Sequence, residues 1–315
     1  VNQPDHFSTT FKMPTGDTVK TEEPATGFTD LDKFVGANPV NAALLKIYGP
    51  RSKLNQAKPR RLEIFKKRDA ALMTMRTFGI GKNADEAASK MQDFLEKSFE
   101  EIRKNKINNL IIDLRYNPGG WDNTGQVLIT YLIGTPSYYY RRFHTVTDSS
   151  AFLQLSSVSK EELKNIKNEL IPEKDGTFTV KEEYNKTLAI QLPQKNRFTG
   201  KVYFIVNGGS GSSAGEFSAV AYSNHLGVFV GEETQGNYTG DNGGEFIPLV
   251  LPLTKIFVNI PLLYYDNAVT PPARVGRGTI PEYIIPNNMN DILSGTDTQL
   301  NFVFDLIGKN THSNN

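Results

Sequence analysis

Val202-Tyr-Phe-Ile-Val206, the small-residue loop Asn207-Gly-Gly-Ser-Gly-Ser-Ser213, the run Ala214 to Tyr222 and then Gly227-Val-Phe-Val230 form the stretch that decides the fold. Two short, unbroken apolar runs are the pattern of strands covered on both faces. The residues between them are long enough for a crossover helix, so the stretch predicts a βαβ unit with parallel strands. The same grammar repeats upstream. Ala71-Leu-Met-Thr-Met75 predicts a strand, and Asn83 or Asp85 caps a long helix to Lys104 with Ala87, Met91, Phe94, Leu95 and Phe99 at helical spacing. Asn109 to Leu114 predicts a second covered strand, and Asn117-Pro-Gly-Gly120 turns into a helix over Asp122 to Leu132. The class is α/β.

Further out the signals are weaker. Tyr138 to Thr147 reads as a strand, Lys160 to Leu170 as a charged helix, Phe246 to Leu251 with Ile256 to Leu263 as a β-hairpin, and Met289 or Asp291 to Ile307 as a closing helix. The expected organisation is a lead-in over residues 1–69, a core over 70–309 with an insertion near 149–187, and a polar tail over 310–315. Within the lead-in, the basic run Lys58-Pro-Arg-Arg61 reads as a solvated loop.

Composition removes several classes of function. The 315 residues carry 35 Lys plus Arg against 34 Asp plus Glu, a net charge of +1, so no electrostatic footprint for nucleic acid is present. No run of about 18 apolar residues exists to span a bilayer. With 0 Cys, disulfides, thiolate metal sites and cysteine nucleophiles are excluded. His6, His144, His225 and His312 are too scattered to form a local ligand motif, so neither a metal nor another cofactor is expected. Val1 is not an initiator Met, which suggests a mature or trimmed chain, and the missing cysteines lean toward an extracytoplasmic site.

Two glycine turns, Asp113 to Gly120 and Asn207 to Glu216, each follow a covered strand and lead into a helix, where open α/β sheets place their ligand sites. A P-loop reading fails for want of a Lys in the second turn. A dinucleotide reading fits Gly209, Gly211 and Ala214, with Glu232 or Glu233 about 20 residues on. It sets Glu216 where a pyrophosphate should sit and leaves the first turn idle. A third reading uses both turns, with a serine at the helix start as nucleophile and free N–H groups of Ala214 and of Gly119 or Gly120 as oxyanion donors.

Leu110-Ile-Ile-Asp-Leu-Arg-Tyr-Asn-Pro-Gly-Gly120 resembles the strand-and-turn signature of the C-terminal processing peptidases, or tail-specific proteases. Ser213-Ala-Gly-Glu216 resembles their nucleophile segment. Gly231-Glu-Glu-Thr-Gln-Gly236 and Gly276-Arg-Gly-Thr-Ile-Pro-Glu282 are similar to two later motifs, in the same order. The resemblance implies a ClpP/crotonase-like core of repeated ββα units with an added β-hairpin, Ser213 as acylating nucleophile, and an oxyanion hole from Ala214 with Gly119 or Gly120. It also implies a peptide substrate bound in extended form at a sheet edge.

The base is where the resemblance breaks. The family's lysine, 25 residues after the serine, falls on Tyr238, and the histidine of a second, tricorn-like branch falls on Thr74. Tyr238 and His144 remain candidates, the first only with a pKa far below ~10. His225 reads as a helix-end residue, Glu232, Glu233 and Glu282 as structural, and Glu216 as a favourable partner of its helix dipole. The expectation is a serine endopeptidase of the tail-specific type, with a catalytically impaired peptide-binding homologue as the alternative and a dinucleotide-binding enzyme third.

Overall fold

The structure, a computed structural model, describes residues 6–12, 16–24, 57–148, 156, 158–244, 246–270, 276–287 and 289–312. The chain divides into two compact units, Val1–Leu54 with Leu293–Gly295, and Asn55–Ile292 with Thr296–Asn315. In the first, β1 (His6–Lys12) pairs antiparallel with β2 (Thr18–Pro24).

The second unit is built on a six-stranded sheet. Its elements in chain order are β3 (Arg60–Phe65), β4 (Ala70–Met75), α1 (Ala84–Lys104), β5 (Asn109–Asp113), α2 (Asp122–Thr130), β6 (Tyr140–Thr145), α3 (Lys160–Glu169), β7 (Leu170–Pro172) and β8 (Phe178–Val180). There follow β9 (Lys201–Val206), α4 (Ser213–Ser223), β10 (Val228–Gly231), β11 (Gly240–Asp241), β12 (Phe246–Val250), β13 (Phe257–Pro261), β14 (Tyr264–Asn267), β15 (Tyr283–Ile284), α5 (Met289–Ser294) and α6 (Thr298–His312). The sheet order is β15-β10-β9-β5-β4-β3, parallel throughout except for the β3–β4 pair.

Strand alternation sorts this sheet into two faces. Met73, Ile112, Phe204 and Phe229 join one core with Met91, Leu95 and Phe99 of α1, Leu128 of α2 and Phe217 of α4. Leu72, Ile111, Tyr203 and Val230 join the other with Val303, Phe304 and Ile307 of α6. Helices on both faces are why these strands read as continuous apolar runs. A second sheet, order β11-β14-β6-β8-β7 and wholly antiparallel, packs Tyr140, Phe143 and Tyr265 into the first core. The expected hairpin is β12–β13.

Two sequence readings need correction. The basic run does not end as a solvated loop, because Arg60 and Arg61 open β3, the antiparallel edge strand. Arg60 lays its stem inward and brings Nη1 within 3.4 Å of Met91 Sδ, which is how a long cation occupies a half-buried strand. The closing helix is broken into α5 and α6. Gly295, at φ 69, ends the first, and Asp297 starts the second by accepting the Leu300 N–H at 3.1 Å. The helix after the first turn also stops at Thr130 rather than Leu132.

Candidate active site

Neighbouring parallel strands β5 and β9 end side by side, so the two glycine turns leave the sheet together. Side chains then tie them. Asn207 Oδ1 accepts the N–H groups of Tyr116 and Gly209, each at 3.0 Å, and Ser210 donates to the Leu114 carbonyl at 2.9 Å. The Gly211 N–H donates to Asn117 O at 2.9 Å. Glycine is required twice in the first turn. A Cβ on Gly119, at φ 98, would lie 2.7 Å from Ser212 Cβ and 3.0 Å from Ser213 N, and one on Gly120, at φ 145, would lie 2.1 Å from Gly79 N.

Ser213 is the first residue of α4 and fully buried. Its hydroxyl donates to Gly120 O at 3.2 Å. Ser212 before it holds φ 48 and ψ −134, a conformation that L-residues rarely adopt and that surrounding contacts must enforce. The structure therefore brings Ser213, Ala214, Gly119 and Gly120 together. The expected freedom of the donors is a correction: the Gly119 N–H is engaged by Asn117 Oδ1 at 3.0 Å and the Ala214 N–H by Gly211 O at 3.0 Å.

The candidate bases do not converge on the serine. The Tyr238 hydroxyl bonds Ser223, at the opposite end of α4, and burial raises its pKa, against the direction a base needs. His144 stands opposite Tyr264 in the β6–β14 ladder, and its Nδ1 lies 3.0 Å from Asp266 Oδ2. The next pair, Phe143 and Tyr265, stacks into the core, so His144 points to the other face of that sheet. Thr74 is buried on the same face as Ala70 and Leu72, the α6 side of the large sheet and the side away from α4. His225, at φ 53, follows the C-terminus of α4.

Glu282 and Glu233 serve the backbone. Glu282 accepts the Phe229 N–H at 2.7 Å, and Glu233 accepts the Gly278 N–H at 2.9 Å while pairing with Arg277. The dinucleotide reading loses its open approach, since Gln235 Oε1 fills the position 2.5 Å from a Cβ on Gly211.

Sequence reading missed a group of carboxyls gathered around Glu216, three residues after Ser213 on α4. Glu216 is 4% exposed, accepts the Tyr140 hydroxyl at 2.5 Å and is hydrogen-bonded to the Asp241 side chain. Burial, then the charges of Asp241 and Asp122, push its pKa well above the usual carboxylate range. That shift works against the expected interaction of an ionised Glu216 with its helix dipole. Asp122, in the first turn of α2, is pushed up to about 7 by burial and by Asp241. The Tyr139 hydroxyl is buried with no hydrogen-bond partner, and its pKa is raised by burial and then by Glu216, Asp122 and Asp241. The one legible hint was the run Tyr138-Tyr-Tyr140, which carries two hydroxyls into a core. Among the described residues no group of three or more His, Asp or Glu is arranged to hold a metal ion.

Residues 69–248 match the profile of peptidase family S41. No curated protein matches the chain. Among solved structures, mature CPAF complexed with lactacystin is similar at 14% identity and a TM-score of 0.52, over 97% of this chain and 68% of that one. A structure described as a peptidase, from Parabacteroides merdae, is similar at 14% identity and a TM-score of 0.49, over 79% of this chain and 64% of that one. A lipoprotein from Streptococcus agalactiae gives 14% and 0.44, over 82% and 73%. The chain thus spans roughly two thirds of the length of such structures, and the likeness is one of fold. With the profile covering more than half of its residues, the chain belongs to peptidase family S41, a family of serine hydrolases.

Proposed function

We propose that this protein is a serine endopeptidase of the tail-specific type, cleaving an extended peptide through an acyl-enzyme on Ser213. The observation that carries the reading is the meeting of the two turns: Ser213 heads α4 with its hydroxyl 3.2 Å from Gly120 O, and Gly119 packs on the Ser213 N–H. In this reading residues 70–309 form a ClpP/crotonase-like catalytic core, the substrate lies as an added strand beside the sheet, and the protein acts outside the cytoplasm.

Ser213 Oγ attacks the peptide carbonyl, and the developing oxyanion draws the N–H of Ala214 from Gly211 O and that of Gly119 from Asn117 Oδ1, with the Gly120 N–H beside them. A charge-assisted bond replaces a neutral one in each exchange, so the donors strengthen their bonds as the transition state forms. The positive end of the α4 dipole points at the same place.

A second reading, peptide binding without turnover, is favoured by one observation: the residue at the family's lysine position directs its hydroxyl to Ser223, at the far end of α4. Intact-mass labelling with a fluorophosphonate separates the two. Wild type gaining one adduct while Ser213→Ala gains none supports the peptidase. Peptide binding with no adduct and no hydrolysis would replace it with the binding reading.

A further inference from the structure

The C-terminal end of α3 is built against its own dipole. Glu169 is the last residue of that helix, where the carbonyl end favours a cation and disfavours an anion. Its carboxylate is half-buried and, among the described residues, has no hydrogen-bond or ion-pair partner. Two neighbouring cations are engaged elsewhere. Lys167 Nζ lies 3.1 Å from Asp148 Oδ2, and Lys181, whose N–H bonds the Glu169 carbonyl, sends its Nζ to Asn168 O at 2.5 Å.

Beside this carboxylate lies a cavity of about 380 Å³ between α3 and the β12–β13 hairpin. Asn165, Ile166 and Glu169 border it from α3, and their spacing of i, i+1 and i+4 puts them on one face of the helix, opposite Lys164 and Lys167. Ile247 and Leu262 border it from the hairpin side. Ile247 is 4% exposed, and Ile166 and Leu262 pack on the main core, so the apolar floor is fixed in place. At the rim Asn165 and Phe246 are exposed, which leaves the cavity open to solvent. The Asn165 amide, like Glu169, has no partner. None of these residues belongs to the glycine turns.

This combination selects one ligand chemistry. A purely apolar group would strip water from the Glu169 carboxylate and give it nothing in return. An anion meets that carboxylate and the negative end of the helix together. An alkyl chain ending in a cation satisfies both halves: the stem covers the apolar floor while the head stays at the charged rim.

We propose that the cavity binds a Lys or Arg side chain of a polypeptide, with the alkyl stem along Ile166, Ile247 and Leu262 and the cationic head against Glu169 and Asn165. The open rim lets the side chain enter while its main chain stays outside. The proposal rests on the peptidase reading only in making that polypeptide a substrate, held at a point apart from Ser213. The bound cation supplies the charge that the end of α3 lacks.

The test is saturation-transfer NMR on the full chain carrying Ser213→Ala, so that no probe is cut. The probes are acetyl-Ala-Arg-Ala-amide, its Lys, norleucine and Glu counterparts, and n-butylguanidinium alone. The Arg and Lys peptides should bind, with saturation strongest on the stem methylenes, and high salt should weaken them. The Glu peptide should not bind. Glu169→Gln should weaken the Arg peptide about threefold to fivefold and leave the norleucine peptide unchanged. Glu169→Lys should abolish Arg and Lys binding while raising the melting temperature, because it sets a cation at the end of α3. A surface acid with no binding role gives the second effect without the first. Equal affinity for the Arg and norleucine peptides, or an Arg peptide indifferent to Glu169→Gln, overturns the proposal. Binding of n-butylguanidinium without the peptides overturns the polypeptide source. Fluorophosphonate labelling of wild type is read separately: a chain that binds the Arg peptide but never labels keeps the cavity's role and removes the peptidase reading.

Discussion

Arg115 closes both prongs of its guanidinium on Asp297, Nη1 to Oδ1 at 2.8 Å and Nη2 to Oδ2 at 2.9 Å, joining the turn after β5 to the start of α6. The same Arg115 also bonds Asp113 through Nε at 2.9 Å and Nη2 at 2.8 Å, and Arg76 reaches Asp113 from the other side at 2.7 Å. This network stands directly before the glycine pair and fixes where that turn begins. Asp297→Ala leaves a buried guanidinium short of a partner, so urea unfolding should show a loss of about 3–5 kcal/mol.

Acid should act on the same network. Burial works to raise the Asp113 pKa, but the charges of Arg115 and Arg76 outweigh it and hold the carboxyl far below its usual range. Its stabilising contribution is therefore complete above about pH 4, the unfolded value, and is lost as the pH falls below it. A urea midpoint that drops steeply below pH 4 in wild type and only shallowly in Asp113→Asn is the expected result.

Asp122 should give the opposite slope. The folded chain keeps this proton up to about pH 7 while the unfolded chain releases it near pH 4. Stability contributed by the protonated form thus declines as the pH rises from about 4 to about 7 and is level above. Asp122→Asn should flatten that decline and be more stable than wild type at pH 8, measured by thermal unfolding.

Tyr238→Phe removes a hydroxyl bonded to Ser223 and nothing near Ser213. Labelling and cleavage should stay at the wild-type rate, with a stability loss of about 0.5–1.5 kcal/mol. A fall in rate of tenfold or more would return Tyr238 to the site.

Two glycine substitutions should diverge. Gly120→Ala places a methyl 2.1 Å from Gly79 N at φ 145 and should abolish labelling and lower the melting temperature. Gly308→Ala, in α6 with nothing within 4 Å of the new Cβ, should stabilise by about 0.5–1 kcal/mol.

These contrasts show where sequence was informative. Val202–Val206 and Leu110–Asp113 were legible because burial on both faces leaves an unbroken apolar run, and Asn83 because a cap acts within one turn, accepting the Glu86 N–H at 2.8 Å. Strand β3 was hidden because an edge strand tolerates Arg60, Arg61 and Glu63, with Arg61 paired to Glu63 and the Arg60 guanidinium laid against Met91. The α5–α6 break was hidden because the helical spacing of apolar residues continues across Gly295, and the residue that enforces the break, Asp297, is recruited by Arg115 from 182 positions away. The meeting of the two glycine turns was legible because each sits at a strand end. The carboxyl group behind them was not, since Asp122, Glu216 and Asp241 each look like an ordinary turn or helix-start acid until the sheets bring them together.

The hydrogen bond from Ser213 to Gly120 spans 93 residues, and its two ends meet only through the parallel pairing of β5 with β9. Parallel pairing across such a loop forms late, after local helices have appeared. A refolding chain should recover its helical circular dichroism before it recovers reactivity toward an electrophile. On the peptidase reading, the nascent protein is therefore latent by construction, unable to cut anything, its own unfolded segments included, until its central sheet has closed.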